Sequence, residues 1–320
     1  MEKSSIVGHA MQIAQLEHDL KTDNVSHAYL FAGPPNIGKS AVARWFATEL
    51  LTRGLDGPEK AEAASRIDRL LHPDFLSLDQ LWIEDQSEDL DAIAESSNLP
   101  QSHRRKAPAM RSDVISIDDV RVIQEKVYET GSGTRRVCFI RGIDRLQDAA
   151  GNAFLKILEE PPEGRVFLLT TNSDTQLLPT IVSRTRVLHF DRVADPLIAP
   201  FVESLPEEDR SFVLHLAQGA PGRAIALGSD PDRLREERLM HNQALSFWGP
   251  ASLSERLRLL TPLTEKGDAS ERFLLHLALA LRESPVASVS RAMALRRLTA
   301  RLQTNAYKPL IVQEFALGID

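Results

Sequence analysis

A glycine-rich loop that ends in a lysine and a hydroxyl side chain is the strongest chemical signal in the sequence. Residues 33–40 read Gly-Pro-Pro-Asn-Ile-Gly-Lys-Ser and match the pattern G-x-x-x-x-G-K-[ST]. Glycines let such a loop approach phosphate oxygens closely, because no Cβ intervenes. The loop N–H groups and the start of the next helix present positive partial charge to an anion. The pattern predicts a phosphate site in which Lys39 reaches the outer phosphates and Ser40 ligates Mg²⁺.

The acidic residues that an ATPase needs are missing from their expected place. In such enzymes a second buried strand ends in carboxylates that hold Mg²⁺ and activate the attacking water. The candidate strand here, 137–140, is followed by Arg141 and Gly142. Asp144 comes later, where we expect a capping or surface role. The sequence therefore predicts a chain that binds the phosphate groups of a nucleotide but lacks the carboxylates needed to hydrolyse it.

Buried strands and amphipathic helices alternate around these residues. Short apolar runs predict buried parallel strands at 28–32, 137–140 and 166–170. Apolar residues at helical spacing predict helices at 8–20, from the glycine loop to about 51, at 117–128 and at 149–160. This alternation predicts an α/β P-loop domain with a mostly parallel sheet. Beyond about residue 190 the sequence reads as helical, with a linker expected at 228–232.

Composition limits the functions that are open to the chain. Its 320 residues, 42% hydrophobic and 26% charged, indicate a globular protein of more than one domain. No apolar run approaches 18 residues and the start lacks a secretory signal, so we expect no membrane span. A single cysteine, Cys138, excludes internal disulfides and favours a cytoplasmic location. The net charge of −7 argues against strong autonomous binding to DNA.

Several segments resemble one family, the AAA+ subunits of the bacterial DNA polymerase III clamp loader. Residues 152–162, Asn-Ala-Phe-Leu-Lys-Ile-Leu-Glu-Glu-Pro-Pro, are similar to the family's N-A-L-L-K-x-L-E-E-P-P run. Residues 168–172 resemble its sensor 1 strand, whose polar end faces the terminal phosphate, which implies a contact from Asn172. Residues 178–185 resemble L-P-T-I-x-S-R-C, whose arginine, here Arg184, reaches the ATP site of the neighbouring subunit. Further similar segments lie at 26–30, 72–74, 219–224 and 305–306.

The resemblance implies a nucleotide site and a set of partners. The implied nucleotide-binding residues are Gly33, Pro34, Pro35, Asn36, Ile37, Gly38, Lys39, Ser40 and Asn172. We expect ATP or ADP there, with weak or no dependence on Mg²⁺, and Arg184 is the implied catalytic finger in trans. Family members often carry a four-cysteine zinc module, but residues 52–72 contain no cysteine, so no metal site is predicted. The implied partners are gamma/tau and delta subunits, with the sliding clamp and primed DNA reached through the complex and no membrane involved.

Three domains follow from the same resemblance. They are an AAA+ P-loop domain at 1–192 with an insertion at 82–112, a helical lid at 193–229, and a helical collar for oligomerisation at 230–320. The basic run at 103–106 is expected to be a solvated loop. The family's sensor 2 arginine falls near Gly222, and for the adjacent Arg223 a nucleotide contact and a helix-surface role stay open.

The missing acids indicate one branch of the family. The catalytic gamma and tau subunits carry a D-E-A-D run that falls here on residues 141–144, Arg-Gly-Ile-Asp, whereas delta-prime subunits typically lose it. The resemblance thus implies a non-hydrolysing, delta-prime-like subunit of the ring that loads the sliding clamp. One alternative is an active gamma-type ATPase that recruits Asp144 or Asp148. Another is a small-molecule P-loop kinase.

Overall fold

The chain forms two compact units, Met1–Ala226 and Leu227–Asp320. The computed structural model describes residues 3–78, 98–99, 114–129, 131, 133–264, 269–284, 288–304 and 306–319. The insertion predicted at 82–112, with its basic run at 103–106, lies outside the described residues apart from Asn98 and Leu99. The division into three domains, with boundaries after residues 192 and 229, stays a prediction.

A five-stranded parallel sheet forms the centre of the first unit. Its strands are β1 (Ala28–Ala32), β2 (Phe75–Leu78), β3 (Arg136–Ile140), β4 (Arg165–Thr171) and β5 (Arg186–His189). They lie in the order β2-β3-β4-β1-β5, and each neighbouring pair is parallel. Every residue of β1 and β3 is buried, as expected for strands covered on both faces. The predicted α/β class with a mostly parallel sheet is confirmed.

Helices cover both faces of this sheet. They are α1 (Ala10–Lys21), α2 (Lys39–Leu51), α3 (Gly57–Asp68), α4 (Ile117–Tyr128), α5 (Asp148–Glu159) and α6 (Pro179–Val182). Three more helices follow β5, namely α7 (Asp195–Ile198), α8 (Glu207–Ala217) and α9 (Pro221–Ser229). The helices predicted at 8–20, 117–128 and 149–160 are confirmed to within two residues as α1, α4 and α5. Neither α3 nor β2 was predicted: α3 is a polar helix that buries only Ala63 and Ile67, and β2 has only four residues.

Successive residues of each strand point to opposite sides of the sheet. Val137 and Phe139 of β3 pack in the core that α1 and α2 cover. Cys138 and Ile140 pack in the core that α4 and α5 cover. The result is a three-layer arrangement in which the carboxyl ends of β1, β3 and β4 meet at one edge of the sheet. Polar residues that follow these strands are therefore brought together.

The second unit is helical throughout its described residues. Its helices are α10 (Pro231–Trp248), α11 (Leu253–Leu259), α12 (Ala269–Glu283), α13 (Val289–Leu302) and α14 (Lys308–Leu317). Phe247, Trp248 and Phe315 form an aromatic cluster in its core. The Trp248 indole N–H donates to the carbonyl of Leu277 at 2.8 Å, so its buried polar group is satisfied. Among the described helices, none combines the length and apolar character needed to cross a membrane.

The prediction of a linker at residues 228–232 is wrong. Gly228 and Ser229 belong to α9, and α10 begins at Pro231. Asp230 alone separates the two helices, and its carboxylate accepts from the amides of Asp232 and Arg233 at 3.1 and 3.0 Å. An N-cap aspartate followed by proline starts a helix as readily as it forms a loop. The aspartate and proline at 230–231, which suggested a loop, therefore mark the start of α10 instead.

Candidate functional site

The glycine-rich loop joins β1 to α2 and is held close to the sheet. The Gly33 amide donates to the carbonyl of Thr171 in β4 at 3.3 Å. A Cβ at Gly33 would lie 2.3 Å from the carbonyl oxygen of Phe190, so no larger residue fits there. Gly38, at φ 109°, turns the chain into α2 in a backbone conformation that favours glycine. The loop is thus shaped by close backbone packing, as the sequence pattern requires.

Lys39 folds back over its own loop. Its ammonium group donates to the carbonyls of Gly33 and Pro34 at 2.6 and 2.7 Å, and to the side-chain oxygen of Asn172 at 3.3 Å. Burial lowers the pKa of Lys39 to about 8, against the opposing effect of Asp144. Lys39 and Asn172, which lie 133 residues apart in sequence, are therefore brought together as the resemblance implied.

A cavity of about 370 Å³ lies between the loop and the ends of β3 and β4. Its described lining comprises Pro35, Asn36, Ile37, Gly38, Lys39, Ser40, Arg141, Gly142, Asp144, Arg145, Thr170 and Asn172. Three of these side chains are cationic and Asp144 is the one acidic member of this described set. A larger cleft of about 900 Å³ lies between α1, α2 and α3, but its lining mixes lysines with carboxylates and contains no residue of the glycine-rich loop. The smaller cavity is the one with phosphate-binding geometry.

The segment after β3 is built around Gly142. Gly142 has φ 69°, and its amide donates to the hydroxyl of Thr170 at 3.0 Å. The Arg145 guanidinium donates to the Gly142 carbonyl at 3.1 Å and also to the carbonyl of Arg141. A Cβ on residue 142 would lie 2.6 Å from the Arg145 Nε. Backbone and guanidinium groups thus fill the space directly after β3.

Asp144 lies inside the site, which corrects the expectation of a surface role. Its carboxylate lines the cavity and accepts from the Asn172 amide at 3.3 Å. The bond joins the turn after Gly142 to the residue that follows β4 and is not a helix cap, so the expected capping role is not found either. One carboxylate oxygen is therefore engaged by the protein, and Asp144 is the one carboxylate in the described lining.

His9 is a neighbour of the loop that the sequence did not reveal. Its Nε2 bonds to the carbonyl of Ile37 at 2.7 Å, and its ring lies 4.7 Å from that of Phe190. Burial lowers the pKa of His9, against the opposing effects of that bond and of Asp191, so the ring is neutral at pH 7 and donates from Nε2. A single histidine before α1 gives no signal of this contact, because it is made by chain packing across 28 residues.

The start of α9 also contacts the loop. The Gly222 amide donates to the carbonyl of Asn36 at 2.9 Å, and a Cβ at Gly222 would lie 2.9 Å from the same oxygen. Arg223 instead donates to the carbonyl of Leu216 at 3.4 Å. Arg223 is not part of the described cavity lining, so this geometry favours its helix-surface role.

Arg184 lies apart from the phosphate loop of its own chain. It falls between α6 and β5, and its side chain is 35% exposed. Its guanidinium donates to Glu159 Oε1 at 2.7 Å and to the carbonyl of Thr180 at 3.1 Å. Arg184 is likewise not part of the described cavity lining.

Comparisons with known proteins agree with these features. The model of the family described as DNA polymerase III, delta subunit, matches residues 8–194. The chain is 26% identical over 310 residues to DNA polymerase III subunit tau of Bacillus subtilis, covering 97% of this chain and 47% of that protein. It is 31% identical over 149 residues to subunit delta' of Escherichia coli, covering 45% of this chain and 44% of that protein.

The chain spans less than half the length of these curated relatives. Among solved structures, a gamma subunit-related protein from Thermotoga maritima is 18% identical with a TM-score of 0.47, over 95% of this chain and 97% of that one. Relatives named tau and relatives named delta' both match, so the alignments leave the two kinds of subunit unresolved.

Proposed function

The chain belongs to the DNA polymerase III, delta subunit family, and on that premise we propose that it is a clamp-loader subunit of the delta-prime type. In this role it binds ATP or ADP without hydrolysing it and supplies Arg184 to a neighbouring ATP site. One observation carries the proposal. The phosphate loop is complete, whereas Arg141 and Gly142 follow the strand that should end in acids.

The electrostatics of the cavity support binding without hydrolysis. Hydrolysis requires one carboxylate to hold Mg²⁺ and another to orient the attacking water. Asp144 is the one acidic side chain in the described lining, and it is bonded to the Asn172 amide. Arg141 and Arg145 stand beside it and repel a divalent cation while attracting phosphate. Nucleotide binding should therefore depend little on Mg²⁺.

Fluorescent ADP and ATP test this part of the proposal. We expect weak binding that is similar in EDTA and in Mg²⁺, and that Lys39→Ala abolishes. Lys60→Ala is the matched control, because Lys60 pairs with Glu49 at 2.9 Å outside the phosphate loop. Turnover near 1 s⁻¹, roughly the lower end of typical enzymes, would refute the non-hydrolysing role. Undetectable binding would leave a vestigial loop and remove only the nucleotide from the proposal.

The active gamma-type ATPase is the second candidate, and Asp144 is the observation that favours it. Asp144 lines the cavity, whereas Asp148 in the first turn of α5 does not belong to the described lining. Asp144→Asn separates the candidates. It should abolish turnover if this chain is an ATPase that uses Asp144, and it should leave nucleotide binding largely unchanged if the chain only binds.

Assembly through the second unit completes the proposal. On α14, Ile311, Val312, Phe315 and Ala316 are buried, yet Leu310 and Leu317 are 60% and 63% exposed. Residues seven apart lie on one helix face, so these two leucines share a face of α14 outside the core, with the polar Gln313 and Glu314 between them. This exposed pair of leucines is the support that we take for a protein contact on α14. We assign residues 230–320 to a collar that binds gamma/tau and delta subunits.

Co-purification with those subunits tests the collar. A double variant, Leu310→Glu with Leu317→Glu, should fold but fail to enter the complex, because each glutamate would have to be desolvated at the interface. Leu71→Glu is the matched control, since Leu71 is 61% exposed in the first unit. Unchanged incorporation of the double variant would show that this face of α14 is not the contact. The sliding clamp and primed DNA would be reached through the assembled complex.

A further inference from the structure

We infer that Glu159 positions the guanidinium of Arg184 for its action on the neighbouring site, an inference that rests on the proposed function. Glu159 Oε1 accepts from Arg184 Nη2 at 2.7 Å, and the carbonyl of Thr180 accepts from Nη1 at 3.1 Å. The two side chains are 47% and 35% exposed, so the pair lies at the surface where a second chain can approach.

The two acceptors come from separate, well-anchored elements. Glu159 is the last residue of α5, and its C-cap residue, Glu160, is followed by two prolines. Thr180 lies in α6, where its carbonyl also accepts from the Ser183 hydroxyl at 3.1 Å. Acceptors on two elements fix the guanidinium from two directions. Its orientation is therefore set by the fold before any partner arrives.

The two bonds that hold Arg184 leave part of its guanidinium available to a phosphoryl group. A guanidinium carries five N–H donors in a fixed plane, and the described partners engage one on Nη1 and one on Nη2. Donors remain for the oxygens of a phosphoryl group. A long flexible side chain loses rotamer freedom when it binds, and a side chain already fixed loses less. Glu159 thus acts through Arg184 and is a positioning residue.

The complex with gamma/tau and delta subunits is the system for the test. Hydrolysis at the adjoining site is measured in the steady state over a range of ATP concentrations, with the other ATP sites disabled by phosphate-loop lysine variants. Glu159→Ala should lower kcat at that site about fivefold with KM for ATP unchanged, because the orientation of the finger matters in the transition state. Glu159→Gln, which keeps an acceptor oxygen but loses the charge, should fall between the wild type and Glu159→Ala.

Two comparisons guard against a merely structural effect. Glu160→Ala is the matched control, because the Glu160 carbonyl, which this change keeps, accepts from the Tyr128 hydroxyl at 3.4 Å. In an Arg184→Ala background, Glu159→Ala should have no further effect, since a residue that acts only through Arg184 is silent without it. Thermal melting of each variant checks folding, which an exposed ion pair affects little.

The outcomes separate this inference from the proposed function. If Arg184→Ala leaves hydrolysis unchanged, there is no finger, and both the proposed role of Arg184 and the inference fail. If Arg184→Ala slows hydrolysis but Glu159→Ala does not, the finger stands and the positioning role is refuted. If the two changes are independent in the double variant, Glu159 acts by another route and the inference is again refuted. Non-additive losses with unchanged KM support it.

Discussion

The affinity of the phosphate loop for ADP is expected to fall about tenfold between pH 7 and pH 9, because Lys39 loses its proton in this range. Burial lowers the pKa of Lys39 from 10.5 to about 8, with Asp144 opposing and Arg141 adding to the shift. The protonated ammonium group attracts the diphosphate, and the neutral amine does not. The free protein is charged at this position below pH 8 and neutral above it, so binding must weaken as the pH rises.

The magnitude follows from the fraction of charged lysine. With a pKa of about 8, about nine in ten Lys39 side chains are charged at pH 7 and about one in ten at pH 9. If only the charged form binds, affinity changes about tenfold, or about 1.4 kcal/mol. A lysine with the ordinary pKa of 10.5 would change by only a few per cent over the same interval. The two cases are therefore well separated.

Fluorescence anisotropy with labelled ADP in EDTA, at constant ionic strength, measures the dissociation constant across this range. Lys39→Arg is the informative control, since an arginine keeps its charge and any binding that it supports should be flat with pH. Lys60→Ala should retain the tenfold change. A wild-type dissociation constant that changes less than twofold between pH 7 and pH 9 would refute the reasoning about Lys39.

Two further predictions concern stability. Gly33→Ala should lower the free energy of unfolding by about 1–3 kcal/mol in urea titrations, because the added Cβ would lie 2.3 Å from the Phe190 carbonyl oxygen. The control is Gly57→Ala, which should change the free energy of unfolding far less because there is open space around Gly57. Equal losses in the two variants would refute the packing argument. Burial raises the pKa of Glu237, but the bond from His276 at 2.6 Å and the charge of Arg272 outweigh burial and hold that pKa below 4.5. The contribution of Glu237 to stability should be present above pH 4.5 and lost as the pH falls through the lowered pKa. The melting temperature of Glu237→Gln should therefore depend less on pH in that acid range than the melting temperature of the wild type.

Elements with strong local signals could be predicted from the sequence. The helix predicted at 117–128 from apolar spacing agrees with α4, which buries Val120, Ile123 and Val127. The structure adds a capping box between Ser116 and Asp119 at its start. The strand at 28–32 agrees with β1 because all five residues are apolar or aromatic and buried. In contrast, β2 has only four residues and depends on its pairing with β3, which the local sequence does not encode.

Some residues of the candidate site could likewise be predicted from the sequence, and others could not. The loop residues are contiguous, so their pattern identifies them directly, and the family resemblance added Asn172. His9 and Asp144 reach the loop through chain packing, and their own neighbours in sequence carry no sign of this. The partner of Arg184 could not be predicted either, because Glu159 lies 25 residues away at the end of α5. Side chains that converge only in three dimensions need the structure.

The backbone at Gly142 has a consequence for substitutions in this chain. A carboxylate-bearing residue at position 142 would meet a backbone φ of 69° and a Cβ position 2.6 Å from Arg145 Nε. It would therefore displace Arg145 from its bonds to the carbonyls of Arg141 and Gly142. Changes at positions 142 and 145 are thus coupled, and a change at either one alters the backbone contacts of the other.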